Sequence, residues 1–270
     1  MVRFAAVGAK PYSEWARAAE AAADRARVEI LSRFRGVAVE TKADGSPVTE
    51  ADRAAERVIR ETLRAATPDF GLLGEEFGAD HTPDRPYWAI DPIDGTIGFS
   101  RGIPLFSTLI ALVDQGEPVF GLIDLPALDE RYVGWKGGGC RRNGTPVRVS
   151  QETDLERAII SHGDPFAFER FGKRHVFERM AARLPMLRGY TDAFGHALVL
   201  GGGVGAMVDF ELNPWDAAAS QLLVPEAGGR CVTIAADSRS ASPDKVGLVF
   251  GSPALVEQLL PWVESGPDGD

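Results

Sequence analysis

The sequence has few of the residues that build cysteine or histidine sites. Two cysteines, Cys140 and Cys231, occur in 270 residues, so neither a disulfide framework nor a cysteine-based metal site is predicted. The histidines are scattered without metal-ligand spacing, and we expect them at the surface or in a satisfied core. The four of them are His81, His162, His175 and His196.

Long apolar runs and an excess of positive charge are missing as well. No apolar run reaches membrane-spanning length, and segment 1–7 is shorter than the apolar core of a usual signal peptide. We therefore expect a cytoplasmic protein with no membrane partner. The 29 Lys and Arg residues face 39 Asp and Glu residues, and the resulting formal charge of −10 repels nucleic acid at long range. A small anion can still bind where acidic groups carry metal cations.

The length and composition are those of an ordinary globular protein. A chain of 270 residues with 44% hydrophobic and 25% charged residues can bury a sizeable core. The hydrophobic pattern changes from helical spacing to short apolar runs, and then to alternating strands and helices. We predict an α/β protein with an α+β half, residues 1–150, which carries most of the acidic motifs described below. An α/β half, residues 151–270, packs on it as one body, with a soft boundary near 149–154.

The spacing also predicts individual elements. Helices are expected over 13–34, from Thr49 with a capping-box arrangement to 63, over 166–184, 193–200 and 217–227, and from a Ser252 cap to about 263. Strands are expected at 71–73, 87–90, 105–113, 119–123, 131–135, 147–149, 158–161, 207–210 and 246–250, with a turn at Asn143-Gly144.

Acidic residues occur where a simple fold does not need them. Glu75 and Glu76 follow one predicted strand, Asp91 and Asp94 follow another, and Asp216 begins a predicted helix. Each has an ordinary structural explanation, such as a solvated loop, a turn or the first turn of a helix. At strand ends, where open α/β sheets hold ligands, such a group would repel itself unless divalent cations bound to it. An all-oxygen ligand set favours Mg²⁺ over Zn²⁺.

Three segments resemble the motif set of the inositol monophosphatase family, in the same order and with similar spacing. They are Gly74-Glu75-Glu76, Asp91-Pro92-Ile93-Asp94-Gly95-Thr96 and Pro214-Trp215-Asp216-Ala217-Ala218. The resemblance extends from Lys42 to Gly229. Within the family, segments 71–78, 102–106 and 192–198 look most like the histidinol-phosphate phosphatase branch.

The resemblance implies a layered α/β/α/β/α fold and Mg²⁺-dependent hydrolysis of a phosphomonoester by a metal-activated water molecule. Two or three Mg²⁺ ions per site are implied, with Mn²⁺ able to replace them and lithium acting as an inhibitor. Glu75, Asp91 and the carbonyl of Ile93 would hold one ion. Asp91, Asp94 and Asp216 would hold another, so that one ion acidifies the water and the other offsets charge on the leaving oxygen.

The same resemblance assigns roles around the reacting phosphate. Thr96 would orient the attacking water, with Asp52 supporting Thr96 from behind, and Glu75 would belong to the catalytic group. The backbone amides of Gly95 and Thr96 would meet the phosphate. A homodimer is expected on resemblance alone.

The branch of the family implies histidinol phosphate, an intermediate of histidine biosynthesis, as the substrate. Histidinol carries an ammonium group and an imidazole, so a pocket for it should present carboxylates. The candidates for substrate binding are Asp192 and Asp209, and, further, Lys42, Glu76 and Glu211.

Two departures from the family pattern leave the identity of the leaving group undecided. Ile97 stands where many relatives have a polar residue, and Asp209 stands where they commonly have a longer glutamate. Inositol 1-phosphate, or another small sugar or nucleotide phosphomonoester, is therefore the alternative substrate.

Other classes of protein fit less well. Asp91 and Asp94 are three residues apart, whereas a haloacid-dehalogenase-type phosphatase needs a spacing of two, and Cys140 lacks the loop of a cysteine phosphatase. Segment 201–206 matches the glycine pattern of dinucleotide-binding proteins, but that pattern requires a strand before it and a long helix after it. A metal-binding protein without catalysis is a further alternative, which Mg²⁺-dependent phosphate release would exclude.

Overall fold

Helices and strands alternate along the part of the chain that the computed structural model describes, residues 9–36, 38–41, 47–82 and 85–266. No helix in this part is long and apolar enough to cross a membrane. The helices are α1 (Ala9–Arg33), α2 (Glu50–Ala66), α3 (Thr96–Ser100), α4 (Pro165–Arg170), α5 (Arg174–Arg183), α6 (Asp192–Leu200), α7 (Pro214–Glu226) and α8 (Pro253–Glu264), with a 3₁₀ turn at Pro126–Leu128. The strands are β1 (Val39–Thr41), β2 (Pro47–Thr49), β3 (Gly71–Gly74), β4 (Gly78–Ala79), β5 (Tyr87–Asp94), β6 (Ser107–Asp114), β7 (Glu117–Leu125), β8 (Glu130–Trp135), β9 (Gly139–Arg142), β10 (Thr145–Pro146), β11 (Ile160–His162), β12 (Leu187–Arg188), β13 (Ala206–Leu212), β14 (Arg230–Ala235) and β15 (Val246–Gly251).

Eight strands form the first sheet, in the order β10-β9-β8-β7-β6-β5-β3-β4. Neighbouring strands are antiparallel except for β3 and β5, which run parallel. Because parallel strands end at the same edge of a sheet, the segments that follow β3 and β5 lie side by side. This edge carries most of the predicted acidic motifs.

The second sheet has five strands, in the order β12-β11-β13-β15-β14. Strand β11 is parallel to both of its neighbours, whereas β15 is antiparallel to both β13 and β14. Strands β1 and β2 pair separately as a small antiparallel ribbon.

Three hydrophobic clusters separate five layers. The first lies between α1 and α2 and one face of the first sheet, to which Trp88 and Ile90 point. The second lies between the opposite face, reached by Ala89, and α6, α7 and the second sheet. The third joins the outer face of the second sheet to α4, α5 and α8. The predicted α/β/α/β/α layering is confirmed, while the division into residues 1–150 and 151–270 stays a prediction.

Two predicted elements differ in the structure. The helix expected over 166–184 is two helices, α4 and α5, because Gly172 adopts a φ of +75° just past the end of α4 and such a left-handed residue ends a helix. The strand expected at 147–149 does not form. The chain instead pairs at Thr145–Pro146, directly after the predicted turn.

The start of α8 also departs from expectation. Ser252 occupies the capping position but makes no side-chain cap bond. Its hydroxyl donates instead to the carbonyl of Glu152 at 2.8 Å. The elements that were not predicted from the sequence are β1, β2, β4, β9, β10, β12, β14, α3 and the 3₁₀ turn.

Candidate active site

An irregularity near the end of β5 turns two aspartates to the same side of the sheet. In the pairing of β5 with β6, Asp91 lies opposite Leu109 and Asp94 lies opposite Ser107. Three steps along β5 thus match two along β6, and this extra residue brings both aspartates to one face. Pro92, which cannot donate to the ladder, lies within the bulge. The expectation that the two aspartates follow the strand is corrected, because both belong to it.

Gly95 and Thr96 join β5 to the short helix α3. Gly95 has a φ of +86°, and an added Cβ would lie 3.3 Å from a carboxylate oxygen of Asp192. Both the left-handed backbone conformation and the limited space therefore favour glycine here. The hydroxyl of Thr96 lies 2.9 Å from the carbonyl oxygen of Ile93 and 3.1 Å from Oδ1 of Asp52. A hydroxyl has one proton, so it donates to one of these acceptors at a time.

Asp52 reaches Thr96 from the first turn of α2 and is fully buried. Its Oδ2 accepts the N–H of Thr49 at 2.7 Å, which completes the predicted capping box. Burial raises the pKa of Asp52, and the hydrogen bonds from Thr49 and Thr96 oppose that rise. The structure brings Asp52 and Thr96 together as the sequence analysis expected.

Glu75 follows β3 and meets Asp91 across the parallel strand pair. The N–H of Glu75 donates to the carbonyl of Ile90 at 3.2 Å. Asp91 is only 3% exposed, and its buried Oδ1 has no hydrogen-bond partner in the part of the chain that the structure describes. Burial raises the pKa of Asp91 well above its usual range, and the charges of Glu75, Asp94 and Asp216 raise it further.

Asp94 is held by β6 and by the start of α6. Its Oδ2 accepts the hydroxyl of Ser107 at 3.1 Å and the N–H of Ala193 at the start of α6. Burial raises the pKa of Asp94 well above its ordinary value, and Asp192 and Asp216 add to the effect.

Asp216 comes from the first turn of α7. Its Oδ2 accepts the N–H of Asn213 at 2.7 Å and the side-chain amide of Asn213 at 3.0 Å, which forms a second capping box. Burial raises the pKa of Asp216 to about 6, with a further contribution from Glu75 against the hydrogen bonds of Asn213.

The carboxylates Glu75, Asp91, Asp94 and Asp216 can serve as ligands of divalent cations. The charges that most perturb Asp91, Asp94 and Asp216 are those of other carboxylates, so bound cations would relieve their repulsion. The unsatisfied Oδ1 of Asp91 fits a ligand atom, and an oxygen-only set suits Mg²⁺. Among the described residues, no three His, Cys, Asp or Glu side chains already surround one point. Carbonyl and water oxygens would therefore complete each shell, as is usual for Mg²⁺.

A cleft of about 590 Å³ opens over these carboxylates. The predicted residues that line it are Glu75, Asp91, Ile93, Asp94, Gly95, Thr96, Asp192 and Asp216. An adjoining chamber of about 210 Å³ shares three of them, Asp94, Asp192 and Asp216, and also contains Asp209 and Glu211. Glu76 lines neither space, and Lys42 lies outside the described residues.

Asp192 is the first residue of α6 and has a φ of +59°, which side chains other than Asp and Asn rarely adopt. Water reaches its side chain through the open cleft. Surrounding protein atoms nevertheless raise the pKa of Asp192, and the charge of Asp209 raises it further. A strained backbone at such a place is typical of functional positions.

Asp209 and Glu211, two further substrate candidates, already have partners in the protein. Oδ2 of Asp209 lies 3.2 Å from Nε2 of His196, whose Nδ1 lies 2.7 Å from the hydroxyl of Ser220. Glu211 accepts the Nε–H of Arg170 on one oxygen and the hydroxyl of Ser242 on the other. The charge of Glu211 is therefore compensated, so Glu211 is a weaker candidate for a cationic ligand than Asp192.

Several residues of the cleft were not among the predicted site residues. Asp164 lines both spaces and caps α4, accepting the N–H of Phe166 at 3.0 Å. An aspartate before a proline signals a helix start, and nothing local indicates a pocket. Ile97 is 61% exposed, and with Ile103 and Leu105 it forms an apolar edge of the cleft.

The glycine-rich segment 201–206 has the wrong surroundings for a dinucleotide. It follows helix α6 and leads into strand β13. The dinucleotide fingerprint requires the reverse order, a strand before and a helix after. The match therefore indicates a turn.

Comparison with known proteins decides the family. The sequence model described as "Inositol monophosphatase family" matches residues 12–265. The chain belongs to this family. It is therefore a phosphatase of the inositol monophosphatase family, which uses divalent metal ions, and the resemblance stated from its motifs is confirmed.

Individual relatives within the inositol monophosphatase family carry different names. A protein named histidinol-phosphatase from Chlorobaculum parvum is 37% identical over 232 residues, which cover 86% of this chain and 89% of that protein. A Thermotoga maritima protein named fructose-1,6-bisphosphatase/inositol-1-monophosphatase is 41% identical over 183 residues, or 67% of this chain and 69% of that protein. The crystal structure of the extragenic suppressor protein suhB from Bartonella henselae matches with a TM-score of 0.82 at 30% identity, covering 93% of this chain and 98% of that one.

Proposed function

We propose that this chain hydrolyses histidinol phosphate to histidinol and phosphate with the help of Mg²⁺. The observation that carries the proposal is Asp192, a carboxylate that faces the cleft beside the metal-ligand candidates. Its strongest electrostatic neighbour is another acid, Asp209, rather than a cation. A ligand with a positive charge beyond the phosphate would satisfy it, and histidinol carries such a charge.

The metal-binding part of the proposal uses the four carboxylates. Glu75, Asp91 and the carbonyl of Ile93 would hold one Mg²⁺ ion, and Asp91, Asp94 and Asp216 would hold a second. Bound ions would lower the pKa of a water molecule and offset the charge that develops on the leaving oxygen.

Thr96 would orient the attacking water. When its hydroxyl donates to Oδ1 of Asp52, 3.1 Å away, a lone pair of the Thr96 oxygen stays available to accept a proton of the water. Asp52 would fix the direction of that hydroxyl without touching the water, because Thr49 holds the other oxygen of Asp52. The N–H groups of Gly95 and Thr96 would donate to the phosphate.

The leaving group would lie beside the phosphate, next to Asp192. Its ammonium would pair with Asp192, and its imidazole would pack against Tyr190 and Phe194, whose rings meet edge-on at 6.3 Å in the cleft wall. Asp209, supported by His196, would add negative potential behind Asp192. Inositol offers only neutral hydroxyls to these carboxylates.

Inositol 1-phosphate is the second candidate substrate, because the Thermotoga relative carries that activity in its name. A phosphate-release panel tests the proposal with L-histidinol phosphate, inositol 1-phosphate, fructose 1,6-bisphosphate and adenosine 3′,5′-bisphosphate. We expect histidinol phosphate to give the highest kcat/KM, with Mn²⁺ replacing Mg²⁺ and Ca²⁺ inhibiting. Full activity in excess chelator would contradict the metal requirement, and a preference for inositol 1-phosphate would contradict the substrate.

A substitution at Asp192 tests the leaving-group contact. Asp192→Asn keeps the shape and tolerates the left-handed backbone but removes the charge. We expect kcat/KM for histidinol phosphate to fall about tenfold, the low end for a charged hydrogen bond, because water in the open cleft screens the pair. Hydrolysis of glycerol 2-phosphate is the control and should change little. Equal losses on both substrates would assign Asp192 to the catalytic centre instead.

A further inference from the structure

One face of α2 carries three charged residues spaced one helical turn apart: Asp52, Glu56 and Arg60. Side chains four residues apart on a helix lie on the same face. All three are buried, with 0%, 0% and 7% exposure respectively. Buried charges need partners, and those of Glu56 lie in the loop that carries Glu75.

The carboxylate of Glu56 binds the backbone of this loop, residues 75–77. Its Oε2 accepts the N–H of Glu76 at 2.7 Å, and its Oε1 accepts the N–H of Phe77 at 3.3 Å. Gly74 permits the close approach, because an added Cβ would overlap with the carboxylate of Glu56. The loop is thus attached to α2 through its main chain.

Arg60 completes the attachment. Its Nε donates to Oε1 of Glu56 at 2.7 Å, and its Nη2 donates to the carbonyl of Gly78. The same ion pair that neutralises Glu56 therefore holds the far end of the loop. Both N–H and C=O groups of the turn are satisfied from one helix face.

The other side of the loop is attached to the first sheet. The N–H of Glu75 donates to the carbonyl of Ile90 at 3.2 Å, continuing the parallel pairing of β3 with β5. Glu75 therefore lies between a backbone fixed by the sheet and a backbone fixed by Glu56. Its side chain lines the cleft next to Asp91.

We propose that Glu56, supported by Arg60, is a positioning residue that holds Glu75 in the geometry needed to bind a divalent cation. The inference rests on the proposed metal site but not on the identity of the phosphate ester. Glu56 contacts neither the substrate nor the reacting atoms. It acts through the main chain of residues 76 and 77.

Glu226 provides a matched control in the same protein. At the end of α7 its carboxylate accepts the N–H groups of Gly137 and Gly139, each at 2.8 Å. This is the same kind of contact, a helix carboxylate holding two amides of a distant turn. The turn between β8 and β9 lines neither the cleft nor the chamber.

The experiment compares Glu56→Gln with Glu226→Gln. A glutamine presents one acceptor oxygen and one NH₂ group, so one of the two loop amides loses its acceptor. Binding of Mn²⁺ is measured directly, from the electron paramagnetic resonance signal of the free ion, and melting temperature is measured in chelator. We expect the Mn²⁺ dissociation constant to rise about tenfold or more in Glu56→Gln, the size typical of lost support behind a metal ligand, and to stay within about twofold in Glu226→Gln.

A double variant separates positioning from folding. Glu56→Gln combined with Arg60→Met removes both buried charges, so no unpaired guanidinium remains to destabilise the fold. We expect it to melt above Glu56→Gln while keeping the weakened Mn²⁺ binding. Parent-like Mn²⁺ affinity in the double variant would overturn the inference, and so would equal weakening in Glu226→Gln.

The parent protein distinguishes this inference from the proposed function. A parent that binds Mn²⁺ but prefers another ester contradicts only the proposed substrate. A parent that binds no Mn²⁺ contradicts the metal site and the role of Glu56 together.

Discussion

Two aspartates are buried in the first sheet, Asp91 on β5 and Asp124 on β7. The charged groups around them have opposite signs. Asp124 is fully buried and accepts hydrogen bonds from Arg27 at 2.7 and 3.2 Å and from Arg131 at 2.7 Å. Asp91 is 3% exposed, yet the charged groups that raise its pKa are acids, and its Oδ1 has no hydrogen-bond partner among the described residues. Burial alone therefore does not distinguish a structural carboxylate from a functional one.

The difference lies in where the compensating charge comes from. The chain supplies two arginines for Asp124, so the pair is complete once the protein has folded. The charged groups that act most strongly on Asp91 are acids, so in the proposed function the compensating charge would come from bound metal ions. The same contrast separates Glu211, which pairs with Arg170, from Asp192, whose main electrostatic neighbour is Asp209.

The largest expected effect follows from the loss of the Asp91 charge. Asp91→Asn keeps the volume and removes a charge shared by both proposed metal positions, so turnover should fall by about a thousandfold or more, since metal stabilisation of the transition state is worth several kcal/mol. Without metal, the variant should melt at the parent temperature or above it, because one of several repelling carboxylates is neutral. Phosphate release at saturating Mg²⁺ and thermal melting in chelator check the two parts. Melting far below the parent would make Asp91 a structural residue.

The second-largest expected effect is a loss of stability when Asp124 is replaced. Asp124→Asn leaves two guanidinium groups short of a buried partner, and the free energy of unfolding should fall by about 3 kcal/mol, the lower end for a broken buried pair. The lower end applies because Arg27 also pairs with Asp129, and Arg131 with Asp24. Urea denaturation measures the loss, and Mn²⁺ binding to the folded variant should match the parent. Weakened Mn²⁺ binding with unchanged stability would reverse the roles of Asp91 and Asp124.

The smallest expected effect is a pH dependence of stability that arises from Asp216. The folded pKa of Asp216 is about 6, above its ordinary value of 3.8, so the folded state holds a proton that the unfolded state has lost between these values. Stability from this group is present below pH 3.8 and is lost as pH rises to about 6. We compare the free energy of unfolding of the metal-free parent with that of Asp216→Asn. The parent value minus the variant value should be lower at about pH 7 than at about pH 4.5, by an amount on the order of 1–2 kcal/mol. Urea denaturation of both proteins in chelator at the two pH values measures this difference, and a constant difference would mean that Asp216 titrates normally.

Features that depend only on neighbouring residues could be predicted from the sequence. The capping box of Thr49 and Asp52 lies within four residues, and it forms as predicted. An isolated glycine in a helical pattern is also a local signal, and Gly172 could have indicated the break between α4 and α5. Neither required knowledge of the tertiary structure.

Other features depend on residues far away in the chain. The common orientation of Asp91 and Asp94 follows from a bulge that exists only in the pairing of β5 with β6. Glu56 looks like any solvated helix residue in the sequence, and its burial depends on a loop twenty positions later. Sequence motifs therefore predicted which carboxylates could bind metal ions, but not what holds them in place.

The left-handed backbone at Asp192 also limits how this pocket can change during evolution. A φ of +59° is accessible mainly to Gly, Asn and Asp, because other side chains clash with the backbone there. Substitution at this position should therefore favour glycine, asparagine or aspartate, although Gln115 and Glu211 also adopt a positive φ in this fold. Aspartate and asparagine differ by one heavy atom, so under the proposed function a change between a cationic and an uncharged leaving group would not require rebuilding the loop.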